Sequence, residues 1–203
     1  MAEQENMKKK DLFHLNLFDK MSMYKIIPIL LLFLTTSSFL YADQNDKRLN
    51  YLFDKLVIAE EEKEINKITN QIWKIWHEID DPKTTREFET GVQMMNLGYF
   101  KRSIDYFDKV INKNPNFAEA WNKRATAHFM MGNFDLSMQD ISKTLQLEPR
   151  HFGALDGMSL IFIHTNQFEK AIEVYDKMLE IFPNSIGTKL KKENMLSLST
   201  KST

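Results

Sequence analysis

The sequence predicts an all-α solenoid, a row of helical hairpins stacked side by side. Three observations carry that prediction. First, marked residues recur at a fixed step: Pro115, Pro149 and Pro183 stand 34 residues apart, and Phe100, Phe134 and Phe168 keep the same step. So do the small residues Ser103, Ser137 and Ala171, the small residues Gly91, Ala125 and Ser159, and the turn residues Gly98, Gly132 and Asn166. Second, apolar side chains between these marks return every three or four positions, the spacing that gathers them on one face of a helix. Third, each unit has a turn signal at its middle and a proline at its end. A period of this length with two helices per unit belongs to repeat architectures, in which each unit buries its apolar face against the next.

The middle unit, residues 118–151, sets the pattern. Its first half places Trp121, Ala125, His128 and Phe129 at helical spacing; its second half places Phe134, Met138, Ile141, Leu145 and Leu147 likewise. Gly132 and Asn133 tolerate positive φ, so the first helix is expected to stop and the chain to turn there. Pro149 stops the second helix, because its ring keeps the preceding residue out of helical geometry. By the same phase the first unit covers residues 84–117 and the third covers 152–185.

This pattern resembles the tetratricopeptide repeat from Thr84 to Ser185. Trp121, Gly91, Ala171, Phe107, Tyr175 and the three prolines stand where that family has its tryptophan, small residues, helix B aromatic and terminal proline. Some positions depart from it. Glu87 and Leu155 occupy the tryptophan position, Arg124 a usual leucine, and Val110 and Met178 a usual alanine. All but Glu87 and Arg124 keep an apolar residue at a packing position. The segments WNKRA and EPRHFGAL also look like wording shared by exported bacterial repeat proteins of unassigned role.

The resemblance implies a concave groove lined by the first helix of each unit. Carried over to this sequence, its lining is Phe88, Val92 and Met95 in the first unit. In the second it is Asn122, Lys123, Thr126 and Phe129, and in the third Asp156, Leu160 and Ile163. Members of the family that grip a C-terminal carboxylate do so with Lys, Asn and Arg at two of these places in successive units. Here those places hold Phe88, Val92, Asn122, Thr126, Asp156 and Leu160, so the carboxylate clamp is absent. An apolar groove with a polar centre suits a helix or an extended peptide laid in by its side chains. Coverage of Phe88, Val92 and Met95 by the chain's own N-terminal hairpin is the alternative.

The flanks complete the solenoid. Residues 1–42 are an N-terminal extension. In it, Ile26 to Leu34 is nearly all apolar behind Tyr24-Lys25, and small and hydroxyl residues lead on to Ala42-Asp43. A basic lead, an apolar core and a small residue before a polar start describe a secretory signal peptide, with cleavage expected between Ala42 and Asp43. The core, residues 26–41, is shorter than the ~20 apolar residues of a full span. Uncleaved, it is expected to serve as an inner-membrane anchor, the one route to membrane contact. The expected location is the periplasm or cell envelope.

Residues 43–83 read as a helical hairpin. Leu49, Leu52, Phe53, Leu56 and Val57 form one apolar face and Ile65, Ile68, Ile72, Ile75, Trp76 and Ile79 another, with a charged break from Ala59 to Lys63. The hairpin is expected to cap the open apolar end of the first unit, as a cap or a degenerate fourth repeat. Trp73 lies off the isoleucine stripe and is expected to be partly buried. Residues 186–203 are a short C-terminal capping helix and a polar tail. Ser185 caps the helix, and Ile186 and Leu190 are expected to seal the end of the stack.

Composition narrows the function. The formal net charge is −1, without the basic excess of a nucleic-acid binder. There is no cysteine, hence no disulfide framework and no thiolate metal site. The five histidines form no metal-binding spacing, and no phosphate loop or nucleophile motif is present. No enzyme activity, metal or cofactor is therefore expected. Arg124, on a helix face that packs inward, is costly without a partner, and Asp140 on the facing helix is expected to pair with it. The sequence reads as a non-catalytic scaffold for a protein or peptide partner. The alternatives are a homo-oligomer with a filled groove and a membrane-anchored adaptor.

Overall fold

Helix after helix follows the 34-residue cadence. The computed structural model describes residues 46–199, and among them are nine helices and no strand. They are α1 Lys47–Ile58, α2 Glu62–Trp76, α3 Pro82–Asn96, α4 Phe100–Lys113, α5 Ala118–Met130, α6 Phe134–Leu147, α7 Phe152–His164, α8 Phe168–Ile181 and α9 Ile186–Ser199. The expected signal segment, its core at residues 26–41 and the Ala42-Asp43 junction lie outside the described residues.

The three repeats α3–α4, α5–α6 and α7–α8 turn by the same device. Gly98, Gly132 and Asn166 take positive φ of 79°, 75° and 56°. In each turn the following amide donates back to the carbonyl five residues earlier, as Tyr99 does to Met94 and Asn133 to His128, both at 2.9 Å, and Gln167 to Phe162 at 2.8 Å. This paired closure satisfies the last carbonyls of the helix. Asn133 does not use the left-handed region; it opens α6 at φ −84°. The residues before the prolines, Asn114, Glu148 and Phe182, are extended at φ −134°, −133° and −140°, and each ends its helix there.

Within a repeat the small residues let the two helices close. A Cβ on Gly91 would stand 2.7 Å from the Phe107 ring, so only glycine fits there. Ser137 is buried and donates its hydroxyl to the Ala125 carbonyl at 2.8 Å. Phe107, Ile141 and Tyr175, in equivalent places, fill the three repeat cores and are at most 2% exposed.

Arg124 is held from two sides. Its Nε and Nη2 donate to Asp140 at 2.8 and 2.6 Å, and its Nη1 donates to Asp108 at 2.6 Å, while its guanidinium lies 4.8 Å from the Trp121 ring centroid. The hydrogen bonds from Asp140 and then Asp108 outweigh burial and raise the arginine's pKa further, so it stays charged. The pairing ties α4, α5 and α6 together and accounts for arginine at a packing position. Glu87, the other polar departure, pairs with Lys113 across the first repeat.

The flanking helices depart from expectation. The α1–α2 hairpin does not cover the open end of the first repeat. Its core of Leu49, Leu52, Phe53, Leu56, Ile68, Ile72, Ile75 and Trp76 packs against Phe152, Ile181 and Phe182 of the third repeat. It touches the first repeat through His77, whose ring is 5.8 Å from that of Phe88, and through Ile79. The physical reason is aromatic complementarity at residues 151–153, described below. At the other end, Ser185 caps α9 through the Thr188 amide at 3.2 Å. Ile186 and Leu190 do not seal the stack: they are 66% and 55% exposed, and Thr188 and Met195 face inward instead.

Candidate functional site

Two neighbouring regions of the solenoid offer binding chemistry: a seat filled by the chain's own hairpin and a notch left open.

The seat is built where the first helices of the repeats begin. His151 precedes α7 and is fully buried. Its Nδ1 accepts from the Ala154 amide at 3.2 Å and so caps the helix. The ring proton therefore sits on Nε2, which donates to Glu119 Oε2 at 3.0 Å. Both ring nitrogens are thus used, and the imidazole plane is fixed. Trp76 stacks on that plane with centroids 4.1 Å apart and an angle of 12°. Trp73 meets His151 and Phe152 edge-on, at 5.6 and 5.0 Å. Gly153 makes the room, since a Cβ there would lie 2.8 Å from the Trp73 ring.

Charged groups frame these aromatics. Glu119 is buried at the start of α5. It also accepts from Asn122 at 2.8 Å and faces Lys123 Nζ at 2.9 Å and His77 Nε2 at 3.3 Å. Burial pushes its carboxyl up, but the hydrogen bond from His151 and the neighbouring Lys123 ammonium outweigh it and hold the group at about 2. Glu148 is buried as well, and Arg150 donates to it through Nε at 2.9 Å. The same guanidinium covers Phe53 of α1 at 4.2 Å and donates to Asn50 at 2.9 Å. The segment 148–153 is therefore the hairpin's docking surface.

The notch lies between α5 and α7, further along the same face. It encloses about 220 Å³, with Asn122, Thr126 and Phe129 on one wall and Asp156, Gly157 and Leu160 on the other. Ser137 and Ile141 of α6 form its floor. Leu160 is 41% exposed. Phe129 is fixed by stacking on His164, with centroids 5.3 Å apart. Asp156 is the one charged group on the lining and is met by Lys191 Nζ of α9 at 2.5 Å.

The structure divides the residues named from the sequence. Asn122, Thr126, Phe129, Asp156 and Leu160 come together at the notch. Phe88 is buried against Phe107 and Phe117 and offers no groove surface. Val92 and Met95 pack on the first-repeat core, and Ile163 packs on the third. Lys123 is engaged by Glu119 and lies 5.7 Å from the Trp73 ring centroid. Sequence reasoning missed the pairing of Glu119 with His151 and His77. It also missed the roles of Trp76 and Arg150. The available signal was an oddity: glycines at positions 153 and 157 inside a helix, where glycine is unfavourable unless something needs the room.

Comparisons with known proteins agree with this architecture. Family models described as "Tetratricopeptide repeat" match residues 106–139 and 154–185. The first match runs from α4 through α5 into α6, because a solenoid repeat can be framed from either helix. Among solved structures, the first TPR of Spaghetti (RPAP3), bound to the HSP90 peptide SRMEEVD, superposes with a TM-score of 0.55 at 20% identity, covering 60% of this chain and 96% of that one. The Hsp70-Hsp90 organizing protein of Triticum aestivum is 26% identical over 106 residues, 52% of this chain but only 18% of its own length. A TPR repeat-containing protein of Rhizobium etli is 31% identical over 151 residues, 74% of each chain, an alignment longer than the three repeats together. With that extent of shared sequence on top of the shared helical cadence, the chain belongs to the tetratricopeptide-repeat family.

Proposed function

We propose that the chain is a non-catalytic protein-interaction scaffold that takes a short segment of a protein partner into the notch between α5 and α7. The observation that carries this reading is the notch itself: an open space of about 220 Å³ between the first helices of the second and third repeats, in a fold shared with the RPAP3 repeat domain solved with an HSP90 peptide bound. That volume suits one large side chain, and Leu160 and Phe129 supply its apolar wall. The RPAP3 peptide ends in acidic residues, whereas this lining carries one carboxylate, Asp156, and no free cation. The segment that fits is therefore neutral or basic, with an apolar side chain inserted beside Leu160.

The test is an array of immobilised peptides probed with the purified chain. Neutral and basic peptides with a central large apolar residue are expected to bind in the ~μM range. Leu160→Glu is expected to weaken that binding at least tenfold with the thermal midpoint unchanged. Undiminished binding overturns the notch as the site. Leu160 is the residue to change, since Phe129 also packs against Phe134 and His164.

Export to the periplasm or envelope is part of the same reading, supported by the apolar run after Tyr24-Lys25 and by Ala42. Mass spectrometry of the chain from an envelope fraction is expected to find an N-terminus at Asp43. An intact N-terminus in that fraction would favour the anchored form. A second reading, self-association, rests on the exposed Ile186 and Leu190; light scattering decides it.

A further inference from the structure

We propose that the seat on residues 148–153 is a recognition site for a helix bearing two aromatic rings one turn apart, with α2 as a resident and exchangeable occupant. The seat shares Gly153 with the notch lining but holds α2 through His151 and Phe152, so its standing does not depend on the reading above.

The seat is preformed by residues outside the hairpin. His151 is fixed by Ala154 and Glu119, neither of which belongs to α1 or α2. Its flat face is presented to an arriving ring at no ordering cost, which is the condition for preorganised recognition. Gly153 leaves a slot as wide as an indole edge. Arg150, held by buried Glu148, stands ready to cover a third ring. What α2 supplies is the spacing: Trp73 and Trp76 are three residues apart, which puts both rings on one helix face. His77 follows, within reach of Glu119.

The resident fits incompletely. Trp76 Nε1 is buried and finds no acceptor among the described residues, and a buried donor left unpaired weakens docking by its lost hydration. The hairpin packs on the third repeat, where Phe152 and Ile181 belong to both cores. Apart from Ile79 in the link to α3, the cores of the first and second repeats contain no hairpin residue. The hairpin can therefore leave the seat with the first and second repeat cores intact, and a helix on another polypeptide that completes the pattern can take its place beside Phe152.

The experiment uses the full chain and a fluorescent synthetic peptide of residues 62–77. The unaltered chain is expected to bind the peptide weakly, because its own α2 competes. A chain carrying Trp73→Ala and Trp76→Ala is expected to bind at least tenfold more tightly. Adding Gly153→Ala to that chain is expected to abolish binding by closing the slot, and Leu160→Glu is expected to leave it unchanged. Equal affinity for all chains, or none for any, overturns the proposal. Should the tryptophan variant fail to fold, hydrogen exchange on the unaltered chain decides. Amides of α1 and α2 are expected to exchange together, at least tenfold faster than those of α5 and α7; equal protection overturns it.

Discussion

The helices at the two ends of the described chain are of similar length and opposite fate. Residues in α1 and α2 bury Leu49, Leu56 and Ile72 to 1% exposure or less, in a core that the hairpin's own residues form and that Phe152, Ile181 and Phe182, far along the sequence, complete. The α9 helix lies directly after α8, its natural neighbour, yet leaves Ile186 and Leu190 in solvent and buries Thr188. Proximity in the chain therefore does not decide burial here. A matching surface does: the hairpin meets a fixed imidazole, a glycine slot and Phe152, whereas α9 meets the flank of α8.

The first way to break this comparison is through the middle of the array. Arg124→Met leaves Asp140 buried without its cation, and breaking such a pair costs about 3–5 kcal/mol. Because Arg124 joins α4, α5 and α6, chemical denaturation is expected to show that loss for both ends alike. An unchanged midpoint would mean that the head group lies in solvent and contributes nothing. Leu56→Ala acts on one end. A cavity at a fully buried leucine costs about 2–5 kcal/mol, and hydrogen exchange is expected to report it in α1 and α2 ahead of α9. If α9 exchanges in step with them, the ends are coupled and the contrast fails.

How the chain folds within each repeat was legible because its causes are local. Positive φ at Gly98 and Gly132 and the proline stops at 115, 149 and 183 act over a few residues. Even the Arg124–Asp140 pair follows from two helices joined by a tight turn. The notch was partly legible, since five of its lining residues stand at groove positions carried over from the family resemblance. The seat was not. Phe88 stands at a groove position by the same resemblance, yet Phe117 and His77 cover it. Whether Trp73 and Trp76 face the first repeat or the third is settled by Gly153 and His151, about 75 residues further along. No local periodicity encodes a match of that kind. Ile186 and Leu190 failed for the converse reason: their apolar character promised a contact that the end of the stack does not provide.

Acid sharpens the comparison with a smaller effect. Glu119 is held at about 2 in the folded chain against an ordinary 4.5. A carboxyl depressed by folding contributes stability above its unfolded pKa, and that stability is lost as pH falls towards the folded value. The window therefore opens below about 4.5, with roughly 1 kcal/mol lost near pH 3.5. Because Glu119 underlies the seat, tryptophan fluorescence from Trp73 and Trp76 is expected to change before global helicity does. Glu119→Gln is expected to flatten that response. If the fluorescence follows global unfolding at every pH, Glu119 acts on the whole array and not on the hairpin's docking.

The smallest effect is expected at the opposite end. Replacing Ile186 and Leu190 by serine removes two apolar side chains that already face water, and such surface changes usually stay within about 0.5 kcal/mol. Thr188 and Met195, which hold α9 on α8, are untouched. Thermal melting of the double variant is therefore expected to match the unaltered chain, and at matched concentrations light scattering is expected to give the same mass for both. A clear loss of stability, joined to a fall in mass, would show that these side chains are covered by a second copy in solution. The exposed end would then be an interface, and the contrast between the two ends would become one between an intramolecular and an intermolecular seat.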